Sequence, residues 1–392
     1  MSALMLADST LRARFNAIFD AAASAVVGRE ALILPMKLAL LTKNHVLLIG
    51  KPGVAKSKFV RSILESFKDC ETFRIQCTKR MSEEYLVGPL DMKLFRNAGE
   101  YRHLVDGSMV TAELAFLDEF LDLPDQSLRA LLEILNERRF TRGKQREVCK
   151  LHTAFAATNF SPTNEQVEAV QDRFLFRANV APLADSDDIE KMLNAVSVDA
   201  APVRKMPFKW LQAMRRRAAS VTVDPVLFTA FAKFAQVAKG TLNVTDRRIV
   251  WSLEAVKAYA YLSGRDYVLP NDFLVTEHTF MTAGEDKQAK DFASAVSLGW
   301  VPHAISDNAY ETCYAMEGAL RSLSIDVALW QRKESTVDIA ALKTELTDFI
   351  CALRNDPNLN SGGIASKTAA LTKEAARYIR VIDNPESQKA EA

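Results

Sequence analysis

The most constraining stretch of the chain is Val46–Val60, VLLIGKPGVAKSKFV. Four apolar residues run into Gly50, Gly53 follows, and Lys56-Ser57 open a run of helix-forming residues. Strand, small-residue turn and helix in that order match the phosphate-binding pattern G-x-x-x-x-G-K-[ST]. The residues must be small because backbone N–H groups wrap phosphate oxygens closely. The start of the helix adds its dipole. Here the pattern reads Gly50-Lys51-Pro52-Gly53-Val54-Ala55-Lys56-Ser57, with Ala55 where glycine is usual. Lys56 is expected to reach the β- and γ-phosphates, and Ser57 to ligate Mg²⁺. The competing reading is an ordinary β–α turn with a solvated lysine.

Polar residues at the ends of three further apolar runs favour the first reading. In ELAFLDEF (113–120), Asp118 closes a strand-like run. A carboxylate there is costly without a partner. The Mg²⁺ of a bound nucleotide is such a partner, and Glu119 next to it is placed to activate water. TAFAATNF sets Asn159 after another run, where it can hydrogen-bond a γ-phosphate or an attacking water, or form an Asn turn with Ser161-Pro162. In VQDRFLFRANV, Arg173 precedes a fifth run. It reads as a surface charge, as a partner of Asp172, or as a donor to a neighbouring subunit's site.

The runs 46–49, 72–75, 114–118, 153–158 and 174–180 alternate with helical segments, which predicts an α/β domain with a mainly parallel sheet. A chain of 392 residues exceeds one ordinary domain. The division expected is an α/β core over 1–195, a helical segment over 196–283 and a helical C-terminal extension over 284–392. Asp224-Pro225 mark one helix start. Ile339, Leu342, Leu346, Phe349 and Leu353 form one apolar stripe, suited to a bundle core or a partner helix. The tail NPESQKAEA is polar and expected to be disordered.

Charge and cysteine usage narrow the function classes. Fifty basic residues against 49 acidic give a net charge of +1, so the chain carries no overall basic footprint for nucleic acid. The five cysteines, Cys70, Cys77, Cys149, Cys313 and Cys351, are scattered without a CxxC pair, which reads as free thiols rather than a zinc site. The N-terminus lacks signal-peptide order, and no apolar run approaches the ~18 residues needed to span a bilayer. A cytoplasmic protein is expected.

Taken in order, these signals resemble the AAA+ ATPases, and in detail the MoxR family. The resemblance covers 20–283 and rests on VVGREALILPMKLALLTKNHVLLIGKPGVAKS, EEYLVGPLD, LAFLDEF, LLEILNERRFT, AATNF, DRFLFR, TDRR and GRDYVLPNDFL. The segment GPLDMKLFRNAGEYRHLVDGSM looks closest to the RavA-like branch. It reads as a β-hairpin insert, Met92–Phe95 against Tyr101–Leu104, and a second hairpin is expected with its turn near Arg142-Gly143. The resemblance implies an AAA+ core with a parallel five-stranded sheet, a helical lid, bound ATP and Mg²⁺, and a ring, usually hexameric, with sites at subunit interfaces. It also implies chaperone-like remodelling of a protein, with a partner carrying a von Willebrand factor A domain. By position, Lys56 and Ser57 match Walker A, and Asp118 and Glu119 match Walker B. Asn159 matches sensor 1. Arg173 matches the arginine finger, with Arg177 as a rival. Arg247 matches sensor 2, with Arg248 beside it.

Two other classes stay open. One is a nucleic-acid motor, to which the hairpins would offer Lys93, Arg96 and Arg102 with Phe95 and Tyr101, and Arg138, Arg139, Arg142, Lys144 and Arg146. It is the less favoured. The other is a scaffold gated by nucleotide with little turnover.

Overall fold

The computed structural model describes residues 7–159, 172–195, 205–242, 244–280, 292, 306–332, 338–360 and 364–384. The polar tail expected to be disordered lies almost wholly outside them. Helices α1 (Asp8–Ala25) and α2 (Ile33–Thr42) lead into β1 (Val46–Ile49). Helix α3 (Lys56–Glu65), the short β2 (Phe67–Lys68) and β3 (Thr72–Gln76) follow. Next come α4 (Glu84–Val87), α5 (Met92–Ala98), β4 (Leu114–Asp118) and α6 (Asp125–Glu137). Then β5 (Arg139–Arg142) and β6 (Gln145–Val148) precede β7 (Thr153–Thr158), β8 (Phe176–Asn179) and α7 (Ser186–Ala195).

All five apolar runs are strands, and they form one parallel sheet in the order β3-β4-β7-β1-β8. Strands β1 and β7 are buried at every residue, as inner strands covered on both faces must be. The sequence of β3, TFRIQ, alternates, which suits an edge. Register aligns the carboxyl ends: Ile49 lies opposite Thr158, and Gln76 opposite Asp118. The residues just beyond those ends are Gly50, Glu119 and Asn159. In open α/β sheets this edge is where ligands bind.

The second hairpin forms as expected. β5 and β6 pair antiparallel around Gly143-Lys144, with Arg142 opposite Gln145. The first does not. Met92–Ala98 is helix α5, not a strand. Asp91 accepts hydrogen bonds from the backbone N–H of Lys93 and Leu94, both at 3.0 Å, and so caps its start. Gly99 at φ 65° ends it. No β-branched residue lies between the two caps. A single antiparallel bridge, Leu90 with His103, closes the insert at its base.

After the two-residue strand β9 (Met206–Pro207), which pairs with β2, the described elements are helices: α8 (Phe208–Ala219), α9 (Pro225–Leu242), α10 (Asp246–Leu262) and α11 (Glu277–Phe280), then α12 (Asp307–Gln331), α13 (Ile339–Asn355) and α14 (Ala365–Asp383). Two compact units result. The first comprises 1–222, 242–267 and 275–293; the second comprises 223–241, 268–274 and 294–392. The segment 196–283 thus contributes to both. In the first unit α10 packs on α2 and α8.

In the second unit α12, α13 and α14 pack on one another. The stripe on α13 is their core: Leu342, Leu346, Phe349 and Leu353 are buried, and Ile339 at the helix start is exposed. Lys367 on α14 pairs with Asp224 at the start of α9 and with Glu317 on α12, the latter at 2.8 Å. Among the described residues, no helix is long and apolar enough to cross a membrane.

Candidate functional site

The loop after β1 is built around backbone that side chains would obstruct. A Cβ on Gly50 would lie 2.3 Å from the Val180 carbonyl oxygen, so only glycine fits. Gly53 adopts φ +83° and faces open space. Ala55 also sits in the left-handed region, at φ 60°. That is the conformation for which glycine is usual at this position.

Lys56 is nearly buried at 6% exposure. Its ammonium donates to the carbonyls of Gly50, of Lys51 at 3.3 Å and of Thr158 at 3.1 Å, and to Asn159 Oδ1 at 3.0 Å. Burial lowers its pKa, and Glu119 and Asp118 act against that.

The carboxyl ends of β4 and β7 close the other side. Ser57 donates to Asp118 Oδ2 at 2.6 Å, and the Glu119 N–H donates to Asp118 Oδ1 at 3.1 Å. Glu119 is held at φ 52°, a strained conformation of the kind that clusters at functional sites. The Asn159 amide nitrogen lies 2.6 Å from each Glu119 carboxylate oxygen. One continuous chain of bonds therefore runs Lys56–Asn159–Glu119. The adjacent Ser57 hydroxyl and Asp118 carboxylate are hard oxygen donors, the kind Mg²⁺ takes beside a phosphate. These residues fit a nucleotide and its metal.

A cavity of about 630 Å³ adjoins the loop, lined on one side by Lys51–Ala55 and on the other by Val26, Val27, Leu183, Ile189 and Met192. Its size and largely apolar wall suit a small planar ligand. Arg29 positions the loop beside it, donating from Nε to the Val54 carbonyl at 3.0 Å and from Nη1 to the Gly28 carbonyl at 2.6 Å. The loop side of the cavity was expected from the sequence, but Arg29 and the apolar wall were not singled out: Val26-Val27-Gly28-Arg29 lie within the family-like segment only, and Leu183 to Met192 lie far along the chain.

The predicted arginines stand apart from this cluster. Arg173 Nη1 and Arg247 Nη1 lie 3.4 and 3.6 Å from the same oxygen, Asp172 Oδ2. Thr245 donates to Asp172 Oδ1 at 3.3 Å. The buried Nε of Arg173 has no partner among the described residues, and the Arg247 guanidinium lies 5.5 Å over the Trp251 ring. Neither arginine bonds to Lys56, Ser57, Asp118, Glu119 or Asn159. Arg248, by contrast, is buried. It donates to the carbonyls of Phe174 at 3.1 Å, Leu175 at 2.5 Å and Thr279 at 2.8 Å. Arg177 lies within β8, opposite Leu47 of β1.

Comparison with known proteins gives a consistent picture. Residues 13–207 match the family model of the MoxR domain in the MoxR-vWA-beta-propeller ternary systems, and residues 227–290 match that of an AAA lid domain. Two uncharacterized proteins of Methanocaldococcus jannaschii are 30% and 29% identical over 242 residues. Those matches cover 62% of this chain but only 63% and 64% of the relatives, so the chain spans less than two thirds of their length. The chaperone MoxR1 of Mycobacterium tuberculosis is 28% identical over 270 residues, 64% of this chain and 69% of its own. The crystal structure of a candidate ATPase from Cytophaga hutchinsonii shares the fold, with a TM-score of 0.59 at 19% identity, over 74% of this chain and 95% of that one.

Proposed function

We propose, since the chain belongs by its core and lid to the MoxR family of AAA+ ATPases, that it hydrolyses ATP and couples hydrolysis to remodelling of a protein partner. The observation that carries this reading is the convergence of Lys56, Ser57, Asp118, Glu119 and Asn159 at the carboxyl ends of three adjacent parallel strands. The apolar cavity beside them is of a size for a base and ribose.

In this reading Lys56 exchanges its loop carbonyls for β- and γ-phosphate oxygens. Ser57 and Asp118 would hold Mg²⁺, which would neutralise charge developing on the phosphate oxygens. Glu119 takes a proton from the attacking water once its carboxylate is turned from Asn159. Arg173 and Arg247 lie outside this cluster, which supports a site completed by a neighbouring subunit. That calls for a ring, hexameric by family resemblance.

The family model's own description supports a von Willebrand factor A partner, with a β-propeller component as a third. Likeness to MoxR1 supports a chaperone-like role. The RavA-like assignment rests on the insert alone, and the insert carries a helix at its tip. A cytoplasmic location remains part of the proposal.

Two observations weigh against the nucleic-acid reading. Arg142 is spent on Glu83 and Glu133, and Arg138 turns inward to the Lys43 carbonyl. The deciding experiment is ATP turnover per subunit against protein concentration in Mg²⁺ buffer, with Arg173→Ala alongside. Turnover rising with concentration, and lost in the variant, is the expected result. Flat, near-zero turnover would favour the nucleotide-gated scaffold.

A further inference from the structure

Among the described residues lining the cavity beside the phosphate loop, one charged side chain next to the apolar wall is buried: Arg29, at 6% exposure. The rest of the lining is apolar side chains, Gly53 and two exposed lysines, Lys51 and Lys58. Ile189 and Met192 lie three residues apart on one face of α7 and are exposed at the far wall. A flat ring seated in the cavity would cover them. Apolar sites of this kind orient their ligands through a few fixed polar groups. Arg29 is the group placed to do so here.

The guanidinium joins the two sides of the cavity. Nε holds the Val54 carbonyl of the loop, and Nη1 holds the Gly28 carbonyl. Gly28 in turn meets the far wall: at φ +72°, it lies so near Leu183 that a Cβ would come within 2.2 Å of Leu183 Cδ2. The third nitrogen, Nη2, bonds to none of the described residues. It is not sealed in the interior as Arg173 Nε is. Arg29 lines the cavity, so the open edge of its guanidinium is turned toward it. Burial lowers its pKa, and the charge of the neighbouring Glu30 offsets that only in part. A buried cation with an unused donor calls for an acceptor.

We propose that Arg29 donates from Nη2 to an acceptor of the bound nucleoside, a base-ring nitrogen or a ribose oxygen, and so couples occupancy of the cavity to the conformation of the phosphate loop. The inference deepens the nucleotide reading of this site and rests on it. A guanidinium is planar and rigid, so a ligand that fixes one nitrogen fixes the other two. A nucleoside held by Nη2 therefore sets the Val54 carbonyl, two residues before Lys56, and with it the backbone that meets the phosphates. A phosphate chain without a nucleoside makes no use of Nη2. Lysine is no substitute, because one ammonium cannot present the same flat fork to two carbonyls and a ligand.

The test is equilibrium binding of ADP and of inorganic pyrophosphate to the full chain, in wild type, Arg29→Gln and Arg29→Lys. The nucleoside accounts for the difference between the two ligands. Arg29→Gln should weaken ADP roughly tenfold or more relative to pyrophosphate. Arg29→Lys keeps the charge and guards against a folding defect; it should bind pyrophosphate as wild type does and still lose the preference for ADP. 2′-DeoxyADP locates the acceptor. An effect of Arg29→Gln that vanishes with it puts the contact on the ribose hydroxyl, and an undiminished effect puts it elsewhere on the nucleoside; both support the contact. Equal weakening of ADP and pyrophosphate in both variants would mean that Arg29 serves the loop alone, and unchanged affinity for both ligands would mean that it serves neither. Each result would overturn the proposal. Wild type that binds neither ligand would instead overturn the nucleotide reading itself, and the proposal with it.

Discussion

Arg173 and Arg247 share one carboxylate oxygen, Asp172 Oδ2, although 74 residues of chain separate them. One residue belongs to the loop before β8 and the other to the first turn of α10. Their guanidinium charges repel, and that repulsion follows burial as a cause of the lowered Arg173 pKa. Asp172 therefore holds two cations on one face, as a pair that an incoming phosphate can draw off together. Arg173→Ala is expected to lower turnover of the assembled protein about a thousandfold. Arg247→Ala should lower it less, and the double variant should cost less than the sum, since the two share a partner. Mixing Glu119→Gln subunits with Arg173→Ala subunits should restore turnover. No recovery in the mixture would place the finger in its own subunit's site.

Glu119 is restrained twice, by a left-handed backbone and by an Asn159 amide on both carboxylate oxygens. Glu119→Gln should keep nucleotide binding while losing hydrolysis by a factor of about a hundred or more. Asn159→Ala frees Glu119 but also strips an acceptor from Lys56, so binding and turnover should both fall. Single-turnover hydrolysis beside equilibrium nucleotide binding separates the two effects. Hydrolysis at the normal rate in Glu119→Gln would remove it as the base.

Ala55 at φ 60° carries a strain that glycine lacks. A left-handed L-residue costs roughly 1–2 kcal/mol, and the added flexibility of glycine in the unfolded chain offsets roughly 0.5–1 of that. Ala55→Gly should therefore stabilise the core by about 0.5–1 kcal/mol. The urea midpoint should rise at unchanged slope. A fall in the midpoint would mean that Ala55 makes contacts outweighing its strain.

The sheet and the loop were legible because each strand is a short apolar run, and each site residue stands where a run stops. The insert was misread for a local reason. Asn97-Ala98-Gly99 looks like a hairpin turn, yet Gly99 is equally a helix C-cap, and Asp91 supplies the matching N-cap. The apolar wall of the cavity was invisible, since Val26 and Met192 carry no chemistry and meet only in the fold. So was the pairing of Asp224 with Lys367, 143 residues apart. It ties the start of α9 to α14 within the second unit.

The doublet Arg247-Arg248 shows the same limit. Adjacent helical residues point about 100° apart, so only one can face inward, and the letters do not say which. The structure buries Arg248 against three carbonyl groups. Arg248→Ala should cost about 3–5 kcal/mol of stability by leaving those carbonyls unsatisfied. Arg247→Ala should stay within about 0.5 kcal/mol. Urea unfolding of both variants checks this, and equal destabilisation would contradict the division of roles.

The second unit should carry a pH signature centred on Lys367. Burial lowers the pKa of that lysine, but its bonds to Asp224 and Glu317 outweigh burial and leave it raised above 10.5. Burial likewise works to raise Glu317, and Lys367 and Arg321 outweigh it, leaving the carboxyl below 4.5. The raised lysine contributes stability that is complete below pH 10.5 and is lost as pH climbs through its folded value. The depressed carboxyl contributes stability that is complete above pH 4.5 and is lost as pH falls through its folded value. The network is thus fully effective between those limits and fails on either side. Lys367→Met removes its centre and leaves Asp224 without that partner. The variant should be most destabilised relative to wild type near neutral pH, and the gap should narrow well below pH 4.5 as Glu317 takes up its proton in both proteins. Urea unfolding of the two proteins at neutral and acid pH measures it. A gap that stayed constant across that range would mean that Lys367 stabilises the bundle through packing against Tyr310, 5.7 Å from its ammonium, and not through charge.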